Sequence, residues 1–298
     1  MGPEEPELNE SAISSSKVAS QTTTVDAYLR SGSKNWPRIT LVTPVFNGAP
    51  YLREMLESLR IQKYPNLEYI VCDGGSTDGT LEILEENRDM ISHLIVGKDR
   101  GMYDALMKGF ALATGDILGW INADDLHMPW CLRCVAAYMQ YIPECQWLTG
   151  IPSMCDEEGR VLYVAHVAPY YRRSLIRRRW YSGIGLNYIQ QESTFFRREL
   201  FAKTPGLDPQ LRVAGDFQLW VDFAAHADLH QTGTVLAAFR MHRSNRSADS
   251  AGYLNEARAV RIPFGRILFY TDSYLMFLFN RWKKKPRLAD LLKAKPCQ

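Results

Sequence analysis

From Arg38 onward, short apolar runs alternate with amphipathic stretches. Ile39 to Val45 (ITLVTPV) is continuous, apolar and rich in β-branched residues, the pattern of a buried strand. Pro50 to Leu59 puts Leu52, Met55, Leu56 and Leu59 on one helical face. Leu67–Cys72 reads as a second strand. Asp78–Glu86 reads as a helix through Leu81, Ile83 and Leu84, and Leu94–Val96 as a short strand. Tyr103–Ala113 reads as a helix with Ala105, Leu106 and Phe110 inward, and Ile117–Ile121 as a further strand. This alternation predicts a mostly parallel sheet wrapped by helices, with ligands bound at the carboxyl ends of its strands. Beyond about residue 150 the rhythm fades. Residues 152–186 read as an insertion. A helix is expected near Arg198–Lys203, another from about Asp216 to Ala225, and a strand pair or hairpin over Leu229–Phe239. The final apolar helical stretch is Phe264–Trp282. Residues 1–36, rich in Ser, Thr, Glu and Asn, read as a disordered leader.

Charge adds a segregation that the formal net value of +2 hides. Arg172, Arg173, Arg177, Arg178 and Arg179 form one acid-free block, and the last eighteen residues carry seven bases against Asp290 alone. The rest of the chain is acidic, so the two blocks suggest attraction to something anionic, a phosphate-bearing substrate or a membrane surface. No recognised nucleic-acid motif accompanies either block, and no nucleic-acid partner is expected. No run of eighteen apolar residues and no signal-peptide pattern is visible, and six cysteines do not make a dense disulfide framework; a cytoplasmic setting is expected. Cys131 and Cys134 form one C-x-x-C pair without a second, half of a zinc site, and are expected to lie on a helix.

Three strand ends carry unusual loops. Thr43-Pro44-Val45-Phe46-Asn47-Gly48 makes a tight strand-to-helix turn. In Asp73-Gly74-Gly75-Ser76-Thr77-Asp78-Gly79, two glycines allow close backbone approach to a ligand, Asp73 ends a buried strand and needs a partner, and Asp78 suits a helix N-cap. Neither G-x-G-x-x-G nor G-K-[ST] is present, which argues against a dinucleotide fold and a P-loop. Asn122-Ala123-Asp124-Asp125 sets two adjacent carboxylates at a strand end. They suit either a hard divalent cation shared with a diphosphate or a solvated turn capping the helix at Pro129.

Together, in order and spacing, these blocks resemble the family 2 glycosyltransferases of the GT-A fold. The likeness runs through ITLVTPVFNGAPYL, LEYIVCDGGSTDGT, GKDRGMYDALMKGFALATGD and NADD, with QQESTFFRRELF and AGDFQLW resembling the acceptor half. It implies a GT-A-type, Rossmann-like α/β domain over residues 37–250, with a nucleotide-binding half (37–150), an acceptor half (151–250) and a helical, basic extension over 251–298. It also implies inverting, metal-dependent sugar transfer from a nucleotide-diphosphate sugar to an acceptor hydroxyl, on a glycan or a lipid-linked saccharide. By the resemblance, Thr43, Pro44, Phe46, Asn47 and Asp73 embrace base and ribose, Arg100 lines the nucleotide, and Asn122 and Ala123 meet the ribose. Asn122 replaces the first acid of the family's Asp-x-Asp motif. Asp124, supported by Asp125, then holds manganese or magnesium, and His242 reaches the metal or the diphosphate. Asp216 is the implied catalytic base, with Glu192 as a rival. Gln190, Gln191 and Glu192 line the acceptor or donor-sugar pocket. The Gln-x-x-Arg-Trp pattern of processive synthases is missing.

Residues 264–282 suit either a final helix packed on the core or a helix lying peripherally in the cytosolic face of a membrane, next to Lys283-Lys284-Lys285. The arginine block, interleaved with aromatics, is expected as a flexible flap over the acceptor. Two other functions fit the same loops. A sugar nucleotidyltransferase would need a Lys or Arg in the first loop, and Thr43–Gly48 has neither. A non-catalytic nucleotide-sugar binding module would tolerate loss of Asp216.

Overall fold

The computed structural model describes residues 36–165, 171–181, 188–245 and 250–260. The leader up to residue 35, the stretch 264–282 and the basic tail lie outside these residues.

The first half follows the predicted alternation closely. Strand β1 (Ile39–Val45) is buried along its whole length. Helix α1 (Ala49–Arg60) starts with Pro50 in its first turn and buries Leu52, Met55, Leu56 and Leu59. Strand β2 (Leu67–Asp73), helix α2 (Thr80–Glu86), strand β3 (His93–Val96), helix α3 (Met102–Leu112) and strand β4 (Ile117–Trp120) complete this half. Gly79, with φ +98°, occupies the boundary before α2. Asp78 stands one residue earlier than an N-cap and accepts the Thr80 N–H (3.1 Å).

The second half is more broken. It holds β5 (Leu126–His127), α4 (Cys131–Tyr141), β6 (Trp147–Thr149), β7 (Ser153–Cys155), β8 (Val161–Val164), α5 (Arg173–Arg177), β9 (Phe195–Arg197), α6 (Arg198–Phe201), α7 (Gly215–His226), β10 (Leu229–Gln231), β11 (Ala237–Arg240) and α8 (Ser250–Ala259). The main sheet runs β10-β6-β9-β4-β1-β2-β3, with β9 antiparallel to both neighbours and the other pairs parallel. A small second sheet runs β5-β11-β7-β8.

Alternate strand residues feed two cores. Ile39, Leu41, Tyr69, Val71 and Ile117 pack with α1 and α4, while Val42, Ile70, Leu118 and Trp120 pack with α3 and α7. The second core contains a stack of three indoles, Trp120 on Trp220 on Trp147, at 5.6 and 5.7 Å.

Three expectations change. Leu229–Phe239 is not a hairpin: Leu229 pairs with Trp147 in the main sheet, and Ala237 pairs with His127 in the small one. Residues 152–186 include a real hairpin, β7–β8, turned at Gly159 with φ +77°. The arginine block is not simply a flap. Arg173 donates to the Ala224 and Ala225 carbonyls (2.7 and 2.8 Å), capping the last turn of α7. Cys131 and Cys134 do lie on a helix, α4, and burial pushes both thiols up. No group of three or more metal-ligating side chains occurs among the described residues.

Candidate active site

Strand order places β1 between β2 and β4: after β1 the chain passes to β2 and β3 on one side, and after β4 to β6, β9 and β10 on the other. The loops after β1 and β4 meet there, at the switch point where open α/β sheets bind ligands. The approach is close: a Cβ on Gly48 would lie 3.2 Å from that of Ala123 and 2.7 Å from a Val45 methyl. The first loop is stitched to the second. Asn47, at φ +53°, accepts the Thr77 N–H (2.9 Å), and the Ser76 hydroxyl accepts the Asn47 N–H (2.8 Å). Asp73 holds the second loop by accepting the Gly75 and Ser76 amides (both 2.9 Å), and its other oxygen is buried without a partner.

A cavity of about 960 Å³ opens over this switch point. Pro44, Phe46, Asn47, Asp99, Asn122, Ala123 and Asp124 are among its lining residues. Phe46 stands 60% exposed at its rim. Gln190, Gln191, Glu192 and Asp216 border the cavity too, as do Tyr163, Tyr181, Tyr188 and Tyr253. Because β9 runs against β4, the residues before β9 arrive at the same sheet edge. Gln191 donates to the Trp120 carbonyl (2.7 Å) and accepts from Asn122 (3.3 Å).

Not every expected residue reaches the cavity. The Thr43 hydroxyl is buried in β1, accepting from Tyr69 (3.0 Å). Arg100 turns outward, its side chain 74% exposed and paired with Asp104 (2.7 Å). Its neighbour Asp99 lines the cavity instead and accepts the Gly101 N–H (2.8 Å). Asp125 points inward. It accepts the Arg240 N–H (2.9 Å) and the Asn122 amide (3.0 Å), and burial, with Glu192 and Asp124 nearby, holds its carboxyl well above the usual range. It therefore braces the loop from below, while Asp124 faces the cavity.

His242 comes from the far side of the chain. Its Nε2 lies 2.9 Å from Asp124 Oδ2, and its ring packs on Tyr51 at 4.6 Å. Arg240, fully buried, sets up this meeting. It donates to the Asp124 carbonyl (2.7 Å), to the Glu157 carbonyl (2.6 Å) and to Glu54 (2.7 Å). The sequence places Arg240 in Phe239-Arg240-Met241-His242, which resembles the family's Tyr-Arg-x-His pattern, but its contacts, like that of Tyr51 with His242, are visible only in the fold. One carboxylate and one imidazole open to a cavity suit a hard divalent cation that takes its remaining ligands from a substrate.

Asp216 enters in the first turn of α7. The Tyr103 hydroxyl bonds its carboxyl, yet Oδ1 is buried without a partner. Burial, opposed by backbone amides of Phe217 and Asp216 itself, raises its pKa to about 6. Burial raises Glu192 to about 7, but there Gln190 donates to Oε1 at 2.6 Å.

The architecture matches solved GT-A structures. Residues 1–349 of S. aureus TarS, crystallised with UDP-GlcNAc, superpose with a TM-score of 0.61 at 16% identity, over 87% of this chain and 76% of that one. The mannosyltransferase PcManGT from Pyrobaculum calidifontis, in complex with GDP-Man and Mn2+, gives 0.59 at 20% identity, over 89% and 79%. Fold and cavity define an α/β glycosyltransferase of the GT-A type. A profile of glycosyl transferase family 2 matches residues 40–204, and the chain belongs to that family. Among its relatives, an uncharacterized glycosyltransferase of Rickettsia typhi is 24% identical over 85% of this chain and 84% of its own. A PGL/p-HBAD biosynthesis glycosyltransferase of Mycobacterium tuberculosis is 35% identical over 47% of this chain and 60% of its own.

Proposed function

We propose that this enzyme moves a sugar from a nucleotide-diphosphate donor to an acceptor hydroxyl with inversion, using Asp216 as the base and a manganese or magnesium ion held by Asp124 and His242. One observation carries the reading: the Asp124–His242 pair and the partnerless Oδ1-bearing carboxyl of Asp216 border the same cavity.

In this reading the nucleobase stacks beside exposed Phe46, against Pro44 and Asn47, with Asp73 and Asp99 beneath. Asn122 and Ala123 meet the ribose. When bound, the cation offsets charge that grows on the departing diphosphate. Asp216 takes the proton from the acceptor hydroxyl as that oxygen bonds to the anomeric carbon. The bond from that carbon to the diphosphate oxygen breaks, and its electron pair leaves with the nucleoside diphosphate. One displacement from the opposite face inverts the anomeric centre. Asp216 is preferred over Glu192 because its Oδ1 has no partner, whereas the Glu192 Oε1 is engaged by Gln190. Gln191 and Glu192 are left to line the donor-sugar pocket.

The tyrosines that line the cavity supply flat, amphipathic surfaces suited to a glycan or lipid-linked saccharide acceptor. No helix among the described residues is long and apolar enough to cross a membrane. Any association with a membrane surface rests on the basic segment outside those residues. The test is a thermal-shift screen of UDP, GDP and dTDP with and without manganese, followed by donor turnover with the best base. Stabilisation by one nucleotide that grows with manganese is expected. A panel in which none stabilises the protein contradicts the reading.

A further inference from the structure

The helix that carries Asp216 has no side-chain cap from its own sequence. The amides that lead into it are gripped from more than forty residues away. Glu256, on α8, accepts the N–H groups of Arg212 (3.0 Å), Val213 (2.9 Å) and Ala214 (3.0 Å). These amides run straight into the start of α7, and Asp216 stands two residues beyond the last of them. The carboxylate thus fixes the entry into α7, reaching the helix itself at its N-cap Ala214, and its charge near the N-terminus complements the helix dipole.

α8 is itself fixed. The Arg179 guanidinium donates to the carbonyls of Ala257 (3.0 Å), Arg258 (2.7 Å) and Val260 at its far end. Tyr253 packs against Phe217 and Tyr188 on the side facing the cavity. On its other side the start of α7 presses on α3: a Cβ on Gly215 would lie 2.7 Å from the Tyr103 ring. The Asp216 backbone is thus held between a ring that it cannot pass and a carboxylate that grips it.

Stability alone is a poor reason for this arrangement. A Ser, Asp or Asn ahead of α7 would cap it locally. The chain instead brings a second acid close to a carboxyl whose ionisation is already disfavoured.

We propose that Glu256 is a positioning residue, setting where the Asp216 carboxylate stands in the cavity by gripping the amides of Arg212, Val213 and Ala214. This rests on the reading of Asp216 as the base. The groups facing Asp216 are Tyr103 from α3, Glu192 from the turn before β9, and Tyr253 and Glu256 from α8. Of these, Glu256 can be changed to Gln at the same length, which removes the charge and sets an NH2 donor in place of one of the two oxygens that face the Arg212 N–H, loosening the grip.

The experiment compares Glu256→Gln, Glu256→Asp and Arg179→Ala in the full chain. It reads nucleoside diphosphate release from UDP-GlcNAc and GDP-mannose with manganese, and titrates Asp216 by carboxyl NMR in the protein without donor. Glu256→Gln is expected to lower kcat about tenfold or more with donor KM unchanged, as a small misplacement of a reacting group would. It should also move the Asp216 titration to lower pH. Glu256→Asp, too short to reach all three amides, should lower kcat while leaving that titration nearer its original place. Arg179→Ala should lower kcat without moving it. An unmoved titration in Glu256→Gln, wild-type kcat in that variant, or a rise in donor KM alone would overturn the proposal. If Asp216→Asn keeps full turnover, the base assignment has failed instead. If Asp216→Asn is inactive and Glu256→Gln is normal, only the positioning role is lost.

Discussion

His242 Nε2 lies 2.9 Å from Asp124 Oδ2, joining two residues 118 positions apart at the mouth of the cavity. The pair predicts how cation dependence divides. Asp124→Asn should abolish manganese-dependent turnover, and His242→Ala should raise the manganese concentration for half-maximal turnover by about 10- to 100-fold. Chelation with EDTA should stop the wild-type enzyme, and added manganese should restore it. A His242→Ala enzyme with an unchanged manganese requirement would remove the imidazole from the site.

Asp125 predicts the opposite balance. It faces inward and holds the Arg240 N–H and the Asn122 amide. Asp125→Ala should cost about 1–3 kcal/mol of stability by leaving these donors unpaired. Asp124→Ala, at a part-exposed site, should cost much less. Urea denaturation of both variants checks the contrast.

Gly215 offers a steric test. An added methyl would sit 2.7–2.8 Å from the buried Tyr103 ring. Gly215→Ala should lose about 1–3 kcal/mol through overpacking. Its kcat should fall further than a fully folded population would explain, because the Asp216 backbone must shift. Denaturation and kinetics on the same preparation separate the two effects.

The nucleotide half was legible because three of its strands, β1, β2 and β4, are buried on both faces. ITLVTPV and LEYIVC read as continuous apolar runs, and their loops carried Asn47, Asp73 and Asp124 in order. The acceptor half was not, because its short strands serve two sheets. Nothing between Leu229 and Phe239 signals that β10 joins Trp147 while β11 joins His127. The Asp156–Gly159 turn could have revealed the β7–β8 hairpin, but β8 (VLYV) is exposed throughout and lacks the usual alternation of apolar and polar residues. The resemblance of this segment implies Arg100 as the nucleotide contact. The backbone decides otherwise: Gly74 packs against the Asp99 carboxylate, where a Cβ would lie 2.8 Å away. Tyr51 and Glu256 act through long-range contacts that no local pattern announces.

Asp216 ties pH to both rate and stability. Its pKa rises from 3.8 to about 6 in the folded state. As the base it must be ionised, so kcat/KM should fall below about pH 6 and not near 4. On folding the carboxyl takes up a proton between these values. Its contribution to stability is therefore full below about 3.8, declines as pH rises to about 6, and stays low above. Asp216→Asn, free of this burden, should be more stable than wild type by about 1–2 kcal/mol at pH 8 and little different at pH 4, with solvent in the cavity moderating the size. Urea midpoints at the two pH values check the sign.

The decisive measurement is turnover of the manganese-loaded Asp216→Asn enzyme, taken with nucleoside diphosphate binding by calorimetry. If Asp216 is the base, binding persists near its wild-type strength while kcat falls by about 10²-fold or more. An Asp216→Asn enzyme that binds the nucleotide and transfers the sugar at close to the wild-type rate would contradict the mechanism.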